Sequence, residues 1–169
     1  MNIAQPASRS RVSARRTHVS PRSPTSATSE SRAWRERVEE EWFVAIAAVF
    51  VRNGGMATAE DANRMALLRS GQAVSALAHQ MSTRESIWLT GHGRIWLPLF
   101  QVDPHTMSIR DEVLAVTAEL CHVFDEWDIA SWFVERNSWL GNQAPVAVIH
   151  ENPTEVLETA RADRFIAAG

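Results

Sequence analysis

The sequence predicts a mainly α protein: a disordered N-terminal tail, a small winged helix-turn-helix-like domain with one β-hairpin, and a C-terminal helical domain. Three observations carry this prediction. Apolar residues recur at helical spacing from Trp34 onward, the run 87–97 flanks a glycine-containing tetrapeptide, and two late prolines stand where helices begin. The expected boundaries are 1–32 for the tail, 33–104 for the hairpin-containing domain and 105–169 for the helical one.

Residues 1–32 hold six arginines (Arg9, Arg11, Arg15, Arg16, Arg22 and Arg32) against Glu30 alone. That is a charge of +5, which leaves −8 for the rest of a chain whose total is −3. With almost no large apolar side chains, the segment cannot bury enough surface to offset the entropy of ordering, so it is expected to be disordered. Its Arg- and Ser-rich, acid-poor composition also fits an organelle transit peptide, but Pro6, Pro21 and Pro24 interrupt an amphipathic helix and favour a plain tail. A basic tail on an acidic body can touch nucleic acid or fold over the protein's own acids.

Helix one is read from Trp34, Val38, Trp42, Ile46, Val49 and Phe50, and should end at Asn53-Gly54-Gly55. Its tryptophans are expected in the core, with a dimer contact as the other reading. Thr58 with Asp61 makes a capping box that opens helix two, whose apolar face is Ala59, Ala62, Met65, Ala66 and Leu67. A break at Ser70-Gly71 leads to a third helix over 72–80, completing a helix-turn-helix skeleton. Ile87-Trp88-Leu89 and Arg94-Ile95-Trp96-Leu97 then flank Thr90-Gly91-His92-Gly93 as a hairpin, on which Trp88 and Trp96 could stack.

After a connector containing Pro104, Ser108 with Asp111 should cap a helix with Ile109, Val113, Val116 and Leu120 on one face. A short helix carrying Trp127 and Trp132 should break at Arg136-Asn137, turn at Leu140-Gly141 and restart with Pro145 at its first position. Asn152 should cap a last helix that begins at Pro153, with Val156, Leu157, Ala160 and Phe165 inward. Glu155, Glu158, Arg161, Asp163 and Arg164 are expected to face out.

The order Trp127, Trp132, Asn137, Leu140, Gly141, Pro145 and Ile149 resembles the C-terminal toxin-binding domain of the Xre/MbcA/ParS antitoxin family. In that family a tryptophan is followed by an N-x-x-L-G-G-x-[ST]-P run. Here the second glycine is Asn142, a residue that also visits the left-handed region, and the Ser or Thr is Ala144, which removes a side-chain cap. The resemblance covers residues 40–169, and its specific part is 137–150. It implies a helical domain that binds and silences a cognate toxin, often a RES-type toxin acting on NAD, an operator-DNA contact, and a homodimer. The toxin contact would then fall to Trp132, Asn137, Trp139, Leu140, Gly141, Pro145, Arg161 and Arg164. DNA would be met by Arg69, Gln72, Ser75, His79, Arg84 and Arg94, although 72–80 contains no arginine; a working reader and a retained scaffold stand as equal readings. A stand-alone DNA-binding regulator, or a structural interaction protein, is the alternative function.

Catalysis is not expected. The histidines lack ligand-pair spacing, the acidic clusters read as solvated helix starts, and Gly91-His92-Gly93 lies in a hairpin with no helix after it. No metal or cofactor is therefore assigned. The single cysteine, Cys121, excludes an internal disulfide and fits a reducing cytoplasm, and no apolar run reaches the roughly 18 residues of a membrane span. Trp139 has two readings, core residue or exposed interface anchor.

Overall fold

The structure, a computed structural model, describes residues 29–70 and 86–169. Residues 1–28 of the basic tail and the third helix expected over 72–80 lie outside the described residues, whereas 29–32, expected to belong to the disordered tail, are helical. The chain runs α1 (Ser29–Arg52), β1 (Met56–Thr58), α2 (Ala59–Ser70), β2 (Leu89–Gly91), β3 (Arg94–Pro98) and a 3-10 turn (Leu99–Gln101). It continues with α3 (Asp111–Leu120), α4 (Glu126–Val134), a second 3-10 turn (Ser138–Leu140), α5 (Pro145–Val148) and α6 (Pro153–Ala168). The protein is mainly helical with one small antiparallel sheet, as its sequence predicts.

α1 begins at Ser29 and turns inward by its second half, where Phe43, Ile46 and Phe50 are buried. The tryptophans expected with them are not: Trp34 is 62% and Trp42 43% exposed. At 100° per residue the buried stripe lies about a quarter turn away from the one that Trp34 and Trp42 define. The helix stops where Asn53 Nδ2 donates to the Val49 carbonyl (2.9 Å) and Gly54 and Gly55 take positive φ.

The capping box forms as expected: Thr58 Oγ1 accepts from the Asp61 amide (3.1 Å) and donates to the Asp61 carboxylate (2.9 Å). Ala62 and Ala66 of α2 are buried, whereas Leu67 points outward. Thr58 also ends β1, a strand that the sequence does not announce. β1 pairs with β3 (Met56 opposite Pro98), and β3 pairs with β2, giving the order β1-β3-β2.

His92 and Gly93 form the hairpin turn, both with positive φ, as a two-residue turn of the primed type requires. Gly91 therefore stays in β2, where the Phe43 ring of α1 lies against it; a Cβ there would fall 2.4 Å from that ring. Trp88 and Trp96 do not face one another, because the register puts Leu89 opposite Trp96. Trp96 packs instead on Phe43 (6.0 Å between centroids) and donates its indole N–H to the Gly91 carbonyl (3.0 Å). The fully buried Gln101 side chain pairs with both backbone groups of Ile87 (2.8 and 2.9 Å), so the chain before β2 is held by an amide acting as a one-residue strand.

Three phenylalanines carry the core across the sequence boundary at 104. Phe50 of α1 stacks on Phe100 (5.3 Å, 4° between planes), and Phe100 meets Phe133 of α4 (5.1 Å). One buried cluster runs from Phe43 to Ala160, including Val113, Val116 and Leu120 of α3 and Val156 of α6. Ser108 does not cap α3. The Asp103 carboxylate accepts from the His105 and Thr106 amides (2.7 and 2.9 Å), which draws 103–108 into a loop, and Ser108 pairs with Thr106. Those two amides, Thr106 foremost, hold the Asp103 carboxyl below its ordinary range. Arg110 takes the cap position without a side-chain bond, and Ile109 reaches the core from a bridge to Val102.

Among the described residues, no helix is long and apolar enough to cross a membrane. Because Phe100 is shared by both halves, Phe100→Ala is expected to cost about 3–5 kcal/mol. Urea unfolding followed by tryptophan fluorescence and by circular dichroism should show one common transition at a lower midpoint. Two separated transitions would show that the halves unfold independently.

Candidate functional site: the turn between α4 and α6

The chain enters this region through α4, whose N-cap Asp125 accepts from the Asp128 amide (2.9 Å). Ile129, Ala130 and Phe133 are buried, while Trp132 sits at the edge of the core with its ring edge-on to Phe133 (5.2 Å). After Val134 the chain reverses through 137–143. Asn137 governs that reversal, since its amide donates to the Gln143 carbonyl (2.9 Å) and its carbonyl accepts from Leu140 and Asn142 (3.1 and 2.9 Å). Its side-chain oxygen accepts from the Trp139 amide (3.0 Å). Gly141 and Asn142 both adopt the left-handed conformation, with φ of 62° and 63°, and asparagine is one of the few residues other than glycine that does so readily. Pro145 then opens α5 behind Ala144, which supplies no cap bond, and Leu140 and Pro145 are buried.

The remaining donor of the Asn137 side chain goes to α6. Asn137 Nδ2 donates to Asp163 Oδ2 (2.9 Å), and the Trp132 indole N–H donates to the same oxygen (2.8 Å). Asp163, expected to face solvent, is instead only 9% exposed. It lies on the inward stripe of α6 with Val156, Thr159 and Ala160, at spacings of seven, four and three residues. Position along the helix placed it inside, and residue type concealed it. Phe165 shows the converse error: it is 81% exposed, half a turn away from Val156, and Ile166 is exposed beside it. Asn152 takes the cap position of α6 but makes no side-chain cap bond.

Trp139 is 61% exposed on the second 3-10 turn, which packs against α6. It is therefore not the core residue of the first sequence reading. Arg161 and Arg164 are both drawn to Glu119 of α3: Arg161 Nε meets Glu119 Oε1 at 2.9 Å, Arg164 meets Glu119 Oε2, and Arg161 also reaches Glu158 (2.7 Å). The hydrogen bond from Arg161, with the charges of both arginines, holds the Glu119 carboxyl below its ordinary range against a smaller opposing effect of burial. The Arg161 guanidinium is correspondingly raised by Glu119 and Glu158.

The residues expected to meet DNA are not assembled in this way. Gln72, Ser75, His79 and Arg84 lie outside the described residues, Arg69 is placed by its backbone in α2, and Arg94 is exposed at the start of β3. The adjacent His92 is tied to Glu40 of α1. Among the described residues, no group of three or more His, Cys, Asp or Glu side chains is placed to hold a metal ion. No family model, no curated protein and no solved structure matches the chain.

Two outcomes follow from this geometry. Asp163→Ala strands the buried Asn137 donor and the half-buried Trp132 donor and should cost about 2–3 kcal/mol in urea denaturation. Combined with Asn137→Ala it should cost clearly less than the sum, because both remove one shared bond. Glu119 carries the pH dependence. Its lowered folded value means its stabilisation is complete above the ordinary glutamate range and is lost as the pH falls through that lowered value. Glu119→Gln should therefore flatten the acid limb of a melting-temperature profile while changing its neutral-to-basic slope little.

Proposed function

We propose that this chain is the non-catalytic partner in a bacterial toxin–antitoxin pair, and that α3 to α6 dock a cognate toxin of the RES type and block its NAD-acting site. The observation that carries this reading is Trp139. A large aromatic side chain stands out from the surface on a turn whose backbone is fixed by Asn137 and whose far side is pinned to Asp163. Such an anchor loses little conformational entropy when it enters a partner's pocket, which is why rigid, partly exposed tryptophans dominate binding energy at interfaces. Phe165 and Ile166 extend apolar surface along the last turn of α6. Arg161 and Arg164 are engaged with Glu119, so aromatic burial rather than free cationic charge supplies the contact.

A second reading rests on a different observation. The order α1, β1, α2, β2, β3 with the sheet arranged β1-β3-β2 is compatible with a winged DNA-binding unit whose remaining helix would fall outside the described residues, and Arg94 at the start of β3 is exposed. On this reading the protein also contacts its own operator, and the exposed Trp34 and Trp42 of α1 offer a face to a second copy for a homodimer. A promoter fragment shifted in a salt-dependent manner would support it.

Co-expression with the product of the neighbouring gene tests the main reading. A stable complex should copurify, and Trp139→Ala combined with Phe165→Ala should abolish it. The melting temperature of the free protein should change little, since exposed substitutions usually stay within about 0.5 kcal/mol. A neighbouring gene that encodes no toxin, or a complex indifferent to both substitutions, would refute it.

A further inference from the structure

A cleft of about 500 Å³ lies between the sheet-bearing half and the C-terminal helices. Its apolar walls come from four separate pieces of chain: Met65 of α2, Phe100 of the first 3-10 turn, Met107 of the following loop and Val146 of α5. Its charge-bearing lining residues are both basic, Arg110 and His150. The volume and the balance of apolar wall to a few convergent polar groups are those of small-molecule sites.

Arg110 is fixed from both sides of its backbone. Its amide donates to the Gln101 carbonyl (2.8 Å), and its carbonyl accepts from Val113 and Leu114 at the start of α3 (3.0 Å each). Its side-chain Nε is nevertheless buried and has no hydrogen-bond partner. Among the described residues no ion pair or side-chain hydrogen bond engages the guanidinium, so a cation without a partner lines an apolar cleft. Glu112 and Asp103 feel the charge of Arg110, yet neither lines the cleft. Glu112 is engaged by His150 (Nδ1 to Oε1, 2.9 Å), which orients that imidazole at the rim. Burial would raise the Glu112 carboxyl, but its own backbone amide, His150 and the Arg110 charge together hold it low and ionised.

We propose that this cleft is a binding site for a small carboxylic acid with an apolar body, a short fatty or aryl-alkyl carboxylate. The apolar body lies on Phe100, Met107 and Val146. The carboxylate takes the two terminal Nη–H donors of Arg110 as an end-on fork, because the Nε itself is closed off, and this is a geometry that arginine offers and lysine does not. The ligand thus sits at the seam between the sheet-bearing half and the C-terminal helices, and its occupancy stiffens the junction of Phe100 with α5. Trp139, Phe165 and Ile166, which carry the proposed toxin contact, do not line the cleft.

Calorimetric titration of the full chain with octanoate and with 3-phenylpropionate, set against 1-octanol and 3-phenylpropanol, tests the proposal. The acids should bind at least about tenfold more tightly than the matching alcohols, the margin expected of a charge-assisted fork. Arg110→Gln should remove that margin. Ala147→Trp, at an exposed lining position of the cleft, should block acids and alcohols alike while leaving the melting temperature of the free protein near that of the parent. Because Arg110→Gln could impair folding, Ala147→Trp keeps the test decisive. The proposal is overturned if neither acid binds, if acid and alcohol bind equally, or if Ala147→Trp binds the acids as the parent does.

Discussion

The Asp163 carboxylate is the point on which the C-terminal half depends. A carboxylate this deeply buried is tolerable only when donors replace the water it has lost, and Trp132 and Asn137 bring two to a single oxygen. The three residues belong to α4, to the reversal after it and to α6, so one anion fixes the mutual placement of three segments that are otherwise joined by short loops. An apolar residue at 163 could fill the same space, but it would leave the Trp132 and Asn137 donors without a partner. The ion is thus better understood as specifying one arrangement than as adding raw stability.

Asn137 transmits that constraint to the surface. Every polar group it owns is engaged: its amide and carbonyl close the loop, its side-chain oxygen holds the Trp139 amide, and its side-chain nitrogen holds Asp163. The aromatic series of Phe50, Phe100 and Phe133 does similar work at larger scale, carrying contact from α1 through the first 3-10 turn into α4. The turn between α4 and α6 is consequently mounted on the same core as the sheet, although more than forty residues separate Phe133 from β1.

Local signals were legible in the sequence because their partners are local. The Thr58–Asp61 box, the prolines at the first positions of α5 and α6, and the left-handed pair Gly141-Asn142 each depend on residues within a few positions. What escaped depends on distance or on overruling residue type by position. β1 has three residues, too few to show alternation, and its partner strand lies some forty residues on. Asp163 bonds to groups 26 and 31 residues away. The helical period alone puts Asp163 inside and Phe165 outside; reading hydrophobicity ahead of phase reversed both. The same preference for large apolar side chains rotated the inferred face of α1 towards Trp34 and Trp42. Ser108 failed as a cap because Asp103 had already claimed the preceding loop, a competition between two short-range options that composition does not rank.

The motif 137–150 divides into residues that the fold consumes and one that it does not. Asn137 is engaged at each of its polar atoms, Gly141 and Asn142 supply the left-handed turn, and Leu140, Pro145 and Ile149 are buried. Each of these has a sufficient structural reason to be what it is, and none requires a partner to explain it. Trp139 has no such reason. Its backbone amide is used, while its side chain projects from a turn that any residue compatible with the 3-10 geometry could occupy. A small polar side chain there would remove exposed apolar surface without disturbing Asn137, so the fold alone does not account for tryptophan. Rigid support beneath an otherwise unnecessary aromatic is the arrangement expected where the side chain is meant to be buried by another molecule, because the entropy of fixing the anchor has been lost in folding before the partner arrives.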